Sequence, residues 1–401
     1  MNSTFAATPR LERPEPGAAP APARALGRRP RVCFVAPSTW PLIAGASDIP
    51  VIGGAELQQA VVATALAQRS CDVSMISMDF GQEEGSVVRG VRMLKMHAPD
   101  AGLPVVRFLH PRLTSIWSAL RRADADIYYH RTAEPHPAFI VEFCRRHGRR
   151  SIQAGASDHD FIPGRQDIRL ARDRWLYEYG LRRVDAIFAQ NPGQVENVRR
   201  HYGREALLVP NCYAPPEGAR ADPRGYVLWC ATVRAQKRPE VFLDLARRFP
   251  QHRFMLVGGQ DGNRRGQEYA EGVRAAARQL PNMIVHGFTP FEQAERLFDG
   301  ARVVVNTSPY EGFPNTFLQA WARGIPTVSF VDTGSRHRGE PVYEAARDVD
   351  HAAAILARLM EDDAQWTRSS RIAAEHFRER HSIEAALRIY ESEIERLAAP
   401  R

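Results

Sequence analysis

The chain has 401 residues, of which 44% are hydrophobic, with 54 basic and 46 acidic side chains and five cysteines. That length predicts two compact domains, each with enough apolar residues for its own core, and excludes a small disulfide-stapled module. No apolar run is long enough for a membrane span, and the first 30 residues contain no signal-type apolar block. The expected location is therefore the cytoplasm or, through peripheral contact, the inner face of an anionic membrane.

Cys33, Cys71, Cys144, Cys212 and Cys230 are odd in number, contain no C-x-x-C pair and sit in or beside apolar runs, which predicts reduced core thiols. The net charge of +8 is uneven: residues 1–210 carry 28 basic against 21 acidic groups, and residues 211–401 carry 26 against 25. A basic first half suits a negatively charged substrate or an anionic surface, although a solvated Arg-rich face has the same composition. No zinc-finger spacing, RNA-binding signature or basic heptad accompanies it, so nucleic acid is not the expected partner. Only Lys95 and Lys237 among the basic residues are lysines.

Residues 1–30 are rich in Pro, Ala and Arg and predict a disordered arm. From Arg31 onward, short β-rich runs alternate with helical periodicity. Strands are predicted at 32–36, 73–77, 91–96, 126–130, 151–154, 185–189 and 206–209, and helices at 55–69, 136–147, 166–183 and 191–202. Residues 210–225, PNCYAPPEGARADPRG, read as a linker. The alternation then restarts, with strands at 226–230, 253–257, 283–286, 302–306 and 326–330. Helices are predicted near 239–248, 267–280, 290–299, 315–323, 350–361, 364–378 and 382–398. The fold class is α/β, with two doubly wound Rossmann-like domains, 31–213 and 214–381, facing a cleft. The closing segment, 382–401, carries the last predicted helix.

Ligands of such sheets bind beyond the carboxyl ends of the strands, so the loops that follow strands are the places to look for chemistry. After the first strand, Gly53 and Gly54 precede a helix whose first amides can face an anion, although an ordinary strand-to-helix turn has the same form. After strand 226–230, Arg234, Lys237 and Arg238 precede a helix with Pro239 in its first turn. Such cations suit a diphosphate, and a solvated charge run is the alternative reading. After strand 302–306 comes TSPYEGFPNTFLQAWARG, with a carboxylate at Glu311, then Gly312, Phe313 and Pro314, helix-start amides at Asn315 and Thr316, and Gln319 in the second turn. Asp158, His159 and Asp160 follow strand 151–154 and face the predicted cleft. The other Asp-x-Asp pairs, 124/126 and 348/350, lie at the wrong end of a strand or open a terminal helix. His376 and His381 lack metal-ligand spacing, and no metal or cofactor site is expected.

These stretches together resemble the retaining nucleotide-sugar glycosyltransferases of family 4 (glycosyl transferases group 1), whose fold, GT-B, is a pair of Rossmann domains. The resemblance is carried by IGGAELQQAVVATALAQRSCDV, RAQKRPEVFLDLARRFP, FMLVGGQDG, HGFTPFEQAERLFDGARVVVNTS and, most specifically, EGFPNTFLQAWARGIPTVS. It implies a nucleotide-diphospho-sugar donor held mainly by the second domain, transfer with retention and without a metal, a saccharide or lipid-linked acceptor meeting the first domain, and a closing segment, 382–401, that crosses back to the first domain. Polysaccharide or glycoconjugate synthesis is the implied setting. Glu311 matches the first of two family glutamates that frame the donor, and Gln319 stands where the second, on the ribose hydroxyls, is expected. Lys237 matches the diphosphate lysine, and Thr232 stands in place of a family arginine, with Arg234 as its substitute. The donor side then comprises Gly53, Gly54, Thr232, Arg234, Lys237, Glu311, Gly312, Phe313, Asn315, Thr316 and Gln319, with Asp158 and His159 as catalytic candidates on the acceptor side beside Glu311 and Lys237. The departures at Gln319 and Thr232 leave open a non-catalytic partner with weakened donor binding, or a nucleotide-sugar epimerase. On this reading Gln319→Glu should maintain or tighten nucleotide binding.

Overall fold

β-Branched and aromatic runs form the strands, and amphipathic stretches between them form helices that cover both sheet faces. The computed structural model describes residues 28–45, 53–102, 108–260 and 264–399. The predicted arm lies outside the described residues as far as residue 27, as does the 46–52 part of the loop before Gly53.

The first half runs β1 (Arg31–Val35), α1 (Trp40–Ala44), α2 (Gly54–Arg69), β2 (Asp72–Ser77), β3 (Val87–Val88), β4 (Val91–Lys95) and α3 (Thr114–Ala123). It continues with β5 (Ile127–Arg131), α4 (His136–His147), β6 (Arg150–Ala154), α5 (Ala171–Leu181), β7 (Ala186–Ala189), α6 (Pro192–Tyr202) and β8 (Leu207–Leu208). These strands make one sheet in the order β3-β4-β2-β1-β5-β6-β7-β8, parallel except for the β3–β4 pair.

The second half runs β9 (Tyr226–Cys230), α7 (Pro239–Arg248), β10 (Phe254–Val257), α8 (Arg264–Arg278), β11 (Met283–His286), α9 (Phe291–Phe298), β12 (Ala301–Asn306) and α10 (Asn315–Ala322). Next come β13 (Thr327–Ser329), the hairpin β14 (Arg336–His337) and β15 (Glu340–Pro341), β16 (Glu344–Ala345), α11 (Val349–Glu361), α12 (Asp363–Arg380) and α13 (Ile383–Ala398). The second sheet is parallel, in the order β11-β10-β9-β12-β13-β16. Two parallel-sheet α/β domains result, as the alternation predicts.

Strand order reverses direction between β1 and β5 in the first sheet and between β9 and β12 in the second. At such switch points the flanking loops diverge to opposite faces and leave a crevice beyond the strand ends. The loops after β1, β5, β9 and β12 therefore line the two facing crevices.

The last helix belongs to the first core. Ala386, Leu387, Tyr390, Ile394 and Leu397 of α13 are buried with Phe34, Val62, Leu66, Tyr129 and Phe188 of the first domain. Ser382 caps α13 by accepting from the Ala385 amide. The crossover is pinned where Tyr213 N–H donates to His381 O at 3.1 Å and His381 Nδ1 meets Asn211 O at 2.7 Å.

α3 has no counterpart among the predicted elements, although Ile116, Ala119, Leu120 and Ala123 are buried at helical spacing that the sequence displays. α5 starts at Ala171 rather than at 166. The Gln166 side chain accepts from Gly164 N–H at 3.0 Å and donates toward Tyr202, which holds that stretch as a loop. All five cysteines are free; burial pushes the Cys33, Cys212 and Cys230 thiols up to about 12.

Candidate active site

A cavity of about 460 Å³ opens between the domains at the two switch points. From the first domain it is lined by Gly53 and Gly54 after β1, Arg131 at the end of β5, and Ala156, Gln190 and Asn211. The second domain contributes the loops after β9 and β12 and the start of α10. Of the sequence-derived candidates, Gly53, Gly54, Thr232, Arg234, Lys237, Glu311, Gly312, Phe313, Asn315, Thr316 and Gln319 all line it.

Lys237 and Glu311, 74 residues apart, form a direct ion pair between Nζ and Oε1, with side chains 14% and 16% exposed. Lys237 ends a short 3₁₀ turn, after which Arg238 takes a left-handed φ of 48° and Pro239 starts α7. That break turns the chain sharply from the strand end into the helix. The loop is tied down where Thr307 donates to Lys237 O and Trp229 Nε1 donates to Thr307 Oγ1 at 2.8 Å. Ser308 Oγ donates to the same Glu311 oxygen at 2.7 Å. Arg234 is half-buried, and its buried Nε has no hydrogen-bond partner.

Gln319 is buried on α10 and donates Nε2 to Glu295 Oε1 of α9. A carboxylate only accepts, so this contact fixes the amide: Nε2 faces Glu295 and Oε1 is the end left for a ligand. Glu295 is itself buried, with Tyr213 donating to Oε2 and Arg323 Nη2 at 3.3 Å from the same oxygen.

Asn315 bridges the domains: its Nδ2 donates to Gly54 O at 2.9 Å, and its Oδ1 accepts from Gln58 at 3.0 Å and from Asn211 at 3.3 Å. The α10 start has no side-chain cap. Gly312 lies against the first domain so closely that a Cβ there would stand 2.5 Å from Ala156 O.

Asp158 and His159 do not line the cavity. Asp158 Oδ1 accepts from Asn191 and Gln194, each at 2.9 Å, and His159 lies 5.7 Å, ring to ring, from Tyr310 across the domain seam. Asp160 accepts from the Ala156 and Ser157 amides, and burial raises its carboxyl to about 6. This loop therefore presents Ala156 to the cavity, fastens to the start of α6 through Asp158 and folds on itself through Asp160.

Residues 52–214 match the family described as Glycosyltransferase Family 4, and residues 224–362 the family described as Glycosyl transferases group 1. The chain is a GT-B glycosyltransferase. Its fold is similar to that of sucrose-phosphate synthase from Thermosynechococcus elongatus, with a TM-score of 0.73 at 15% identity over 93% of this chain and 100% of the other. It is also similar to Anabaena Alr3699/HepE in complex with UDP and glucose (TM-score 0.66, 14% identity, 90% and 99% covered). A third similar fold is the lipopolysaccharide outer core galactosyltransferase WaaB (0.58, 13%, 90% and 99%). No curated protein matches the sequence.

Sequence reasoning on the glycosyltransferase missed Arg131, Asn211 and Glu295. Arg131 is buried, donates Nη2 to Asn211 Oδ1 at 2.7 Å and has a buried Nε without a hydrogen-bond partner. Its position immediately after the predicted strand 126–130 was the available signal. Glu295 carried none, being one acidic residue in an amphipathic helix. Among the described residues, no helix of the glycosyltransferase is long and apolar enough to cross a membrane.

Proposed function

We propose that this glycosyltransferase moves a sugar, with retention at the anomeric carbon, from a nucleotide-diphospho-sugar to a saccharide or lipid-linked acceptor. The observation that carries the proposal is the Lys237–Glu311 pair on the wall of a cavity built from both switch points. Lys237 has three donors, so it can keep Glu311 on one and turn the others to a diphosphate. Arg234 adds a planar donor group with a free Nε.

As the bond from the anomeric carbon to the diphosphate oxygen breaks, its electron pair leaves with the diphosphate. Lys237 and Arg234 stabilise that charge without a metal ion. The acceptor oxygen bonds the same carbon from the same face, and its proton passes to the departing diphosphate, which grows more basic as it leaves. Glu311 orients the donor sugar, the α10 start faces a phosphate, and Gln319 Oε1 accepts from a ribose hydroxyl. Arg131 and Asn211 form the first-domain wall. The Asp158–His159 loop supports the acceptor side through the seam rather than by entering the cavity. The acceptor approaches over the basic first domain, in the cytoplasm or at the inner face of an anionic membrane, as polysaccharide or glycoconjugate synthesis requires.

UDP-glucose is the donor to try first, because HepE, of similar fold, was captured with UDP and glucose. Calorimetric titration with UDP-, GDP- and ADP-sugars, followed by NMR of the product's anomeric configuration, tests the proposal. No binding of any donor would refute it, and an inverted product would refute retention.

A further inference from the structure

Beside the donor cavity, three side chains from β5, its following loop and the start of α4 converge on one point. His130 and His136 flank Glu134, and one nitrogen or oxygen from each lies within 4.8 Å of the others. His136 Nδ1 is 2.8 Å from Glu134 Oε2, and His130 Nε2 is 3.6 Å from the same oxygen. None of the three lines the donor cavity.

The protonation of His130 follows from its neighbours. Gln153 Nε2 donates to Thr132 O at 2.8 Å and to Ala154 O at 3.1 Å, so its amide cannot be reversed and Oε1 must face His130. His130 Nδ1, 3.0 Å from that oxygen, therefore carries the ring proton. In the neutral ring Nε2 is then a bare lone pair. It is buried, has no hydrogen-bond partner, and is aimed at a carboxylate oxygen too distant for a hydrogen bond. Nε2 is shut off from water, whereas the carboxylate beside it is part-exposed and pairs with His136, so a cation between the two would give the buried lone pair its partner. An amide oxygen on the far nitrogen of a ligating histidine is also the arrangement that fixes tautomer and ring direction at metal centres.

We propose that His130 Nε2, Glu134 and His136 form a binding site for one divalent transition-metal ion of the zinc class. Two imidazoles and one carboxylate, with a fourth position open, is a donor set that suits such an ion. Glu134 is 42% and His136 19% exposed, whereas His130 is 1% exposed. The ion thus enters past Glu134, and rotation of the His136 ring closes the set around it. Thr132 adopts a left-handed φ of 89°, uncommon for a β-branched residue, which bends the loop immediately after β5. Loading the site pins the loop that follows Arg131. The site is separate from the diphosphate chemistry proposed above, which needs no metal.

The test uses untagged full-length protein, stripped with a chelator and titrated with Co²⁺ alone, read by visible ligand-field absorption and by competition with a chromophoric chelator. The expected result is one Co²⁺ per chain, displaced by Zn²⁺. Glu134→Gln and His136→Gln, each checked for fold by circular dichroism, should each lose affinity by at least about tenfold. Absence of stoichiometric binding in the wild type, or unchanged affinity in either folded variant, overturns the site.

Discussion

Gln319 donates its amide to the buried carboxylate of Glu295, so the residue standing where the family expects a glutamate already has an acid as its neighbour. This relationship reverses the expectation that Gln319→Glu would maintain or tighten nucleotide binding. Two carboxylates in one buried place cannot both remain ionised at low cost, and Arg323, which also serves Asp299, is the cation at hand.

Gln319→Glu should melt below the wild type at pH 8, and the deficit should shrink toward pH 5. A carboxyl whose folded pKa is raised destabilises most where the unfolded chain would be ionised, and the penalty fades as it takes up a proton. Donor affinity should fall with it. The double variant Glu295→Gln/Gln319→Glu, which restores one acid and one amide, should recover both. Equal melting temperatures at pH 8 would remove the proposed coupling.

Lys237→Ala should lower turnover by about 10²–10³-fold, the usual cost of removing one preorganised group that stabilises developing charge. Donor affinity should fall as well, since the same ammonium holds the ground-state diphosphate. Steady-state kinetics with calorimetric donor titration check both, and unchanged values would take Lys237 out of the site.

Arg131→Gln should reduce turnover by at least about tenfold while leaving the melting temperature close to wild type. The Gln amide can still donate to Asn211 Oδ1, as Arg131 Nη2 does, so the fold keeps that bond while the cavity loses a cation. A large loss of stability with unchanged turnover would assign Arg131 to the fold instead.

Gly312→Ala should hold the domains apart. A Cβ at 2.5 Å from Ala156 O meets backbone, which cannot swing aside as a side chain does. The radius of gyration from small-angle X-ray scattering should rise and turnover should fall, because closure excludes water from the reacting centre. A variant with wild-type dimensions and turnover would show that the cross-domain contact is not needed.

Acid should weaken the domain crossover. Burial lowers the His381 imidazole to about 4 and the His376 imidazole to about 3, both below the ordinary value of 6.5. As pH falls from 6.5 toward 4, the unfolded chain takes up protons that the folded chain refuses, and stability is lost over that window. Asp160, raised to about 6, works in the opposite sense, so the variant comparison is the clean measurement. His381→Asn keeps a donor for Asn211 O and removes the titration. Its melting temperature should depend less on pH between 6.5 and 4 than that of the wild type, and parallel curves would contradict this.

Lys237 and Glu311 were legible because each lies in a loop directly following a run of apolar residues, and a loop's place after a strand is a local property. Gly312 was legible as a turn residue, but its reason is not local: Ala156 O of the other domain occupies the space a side chain would need. Glu295 was illegible, and Arg131 legible only as a residue at a strand end, for a related cause. Each is an ordinary charged residue in its own segment and becomes part of the site only through Gln319 and Asn211, partners 24 and 80 residues along the chain.

By itself, the amino-acid order determined the alternation of strands and helices, the α/β class and the loops that carry cations, carboxylate and helix start, since periodicity and turn chemistry act between near neighbours. Only the tertiary structure decided which strands flank the two switch points, which residues of the first core α13 packs against, and that Asn315 reaches Gly54 and Gln58 across the seam. Those outcomes depend on burying apolar faces and pairing polar groups between segments hundreds of residues apart, and no local pattern encodes them.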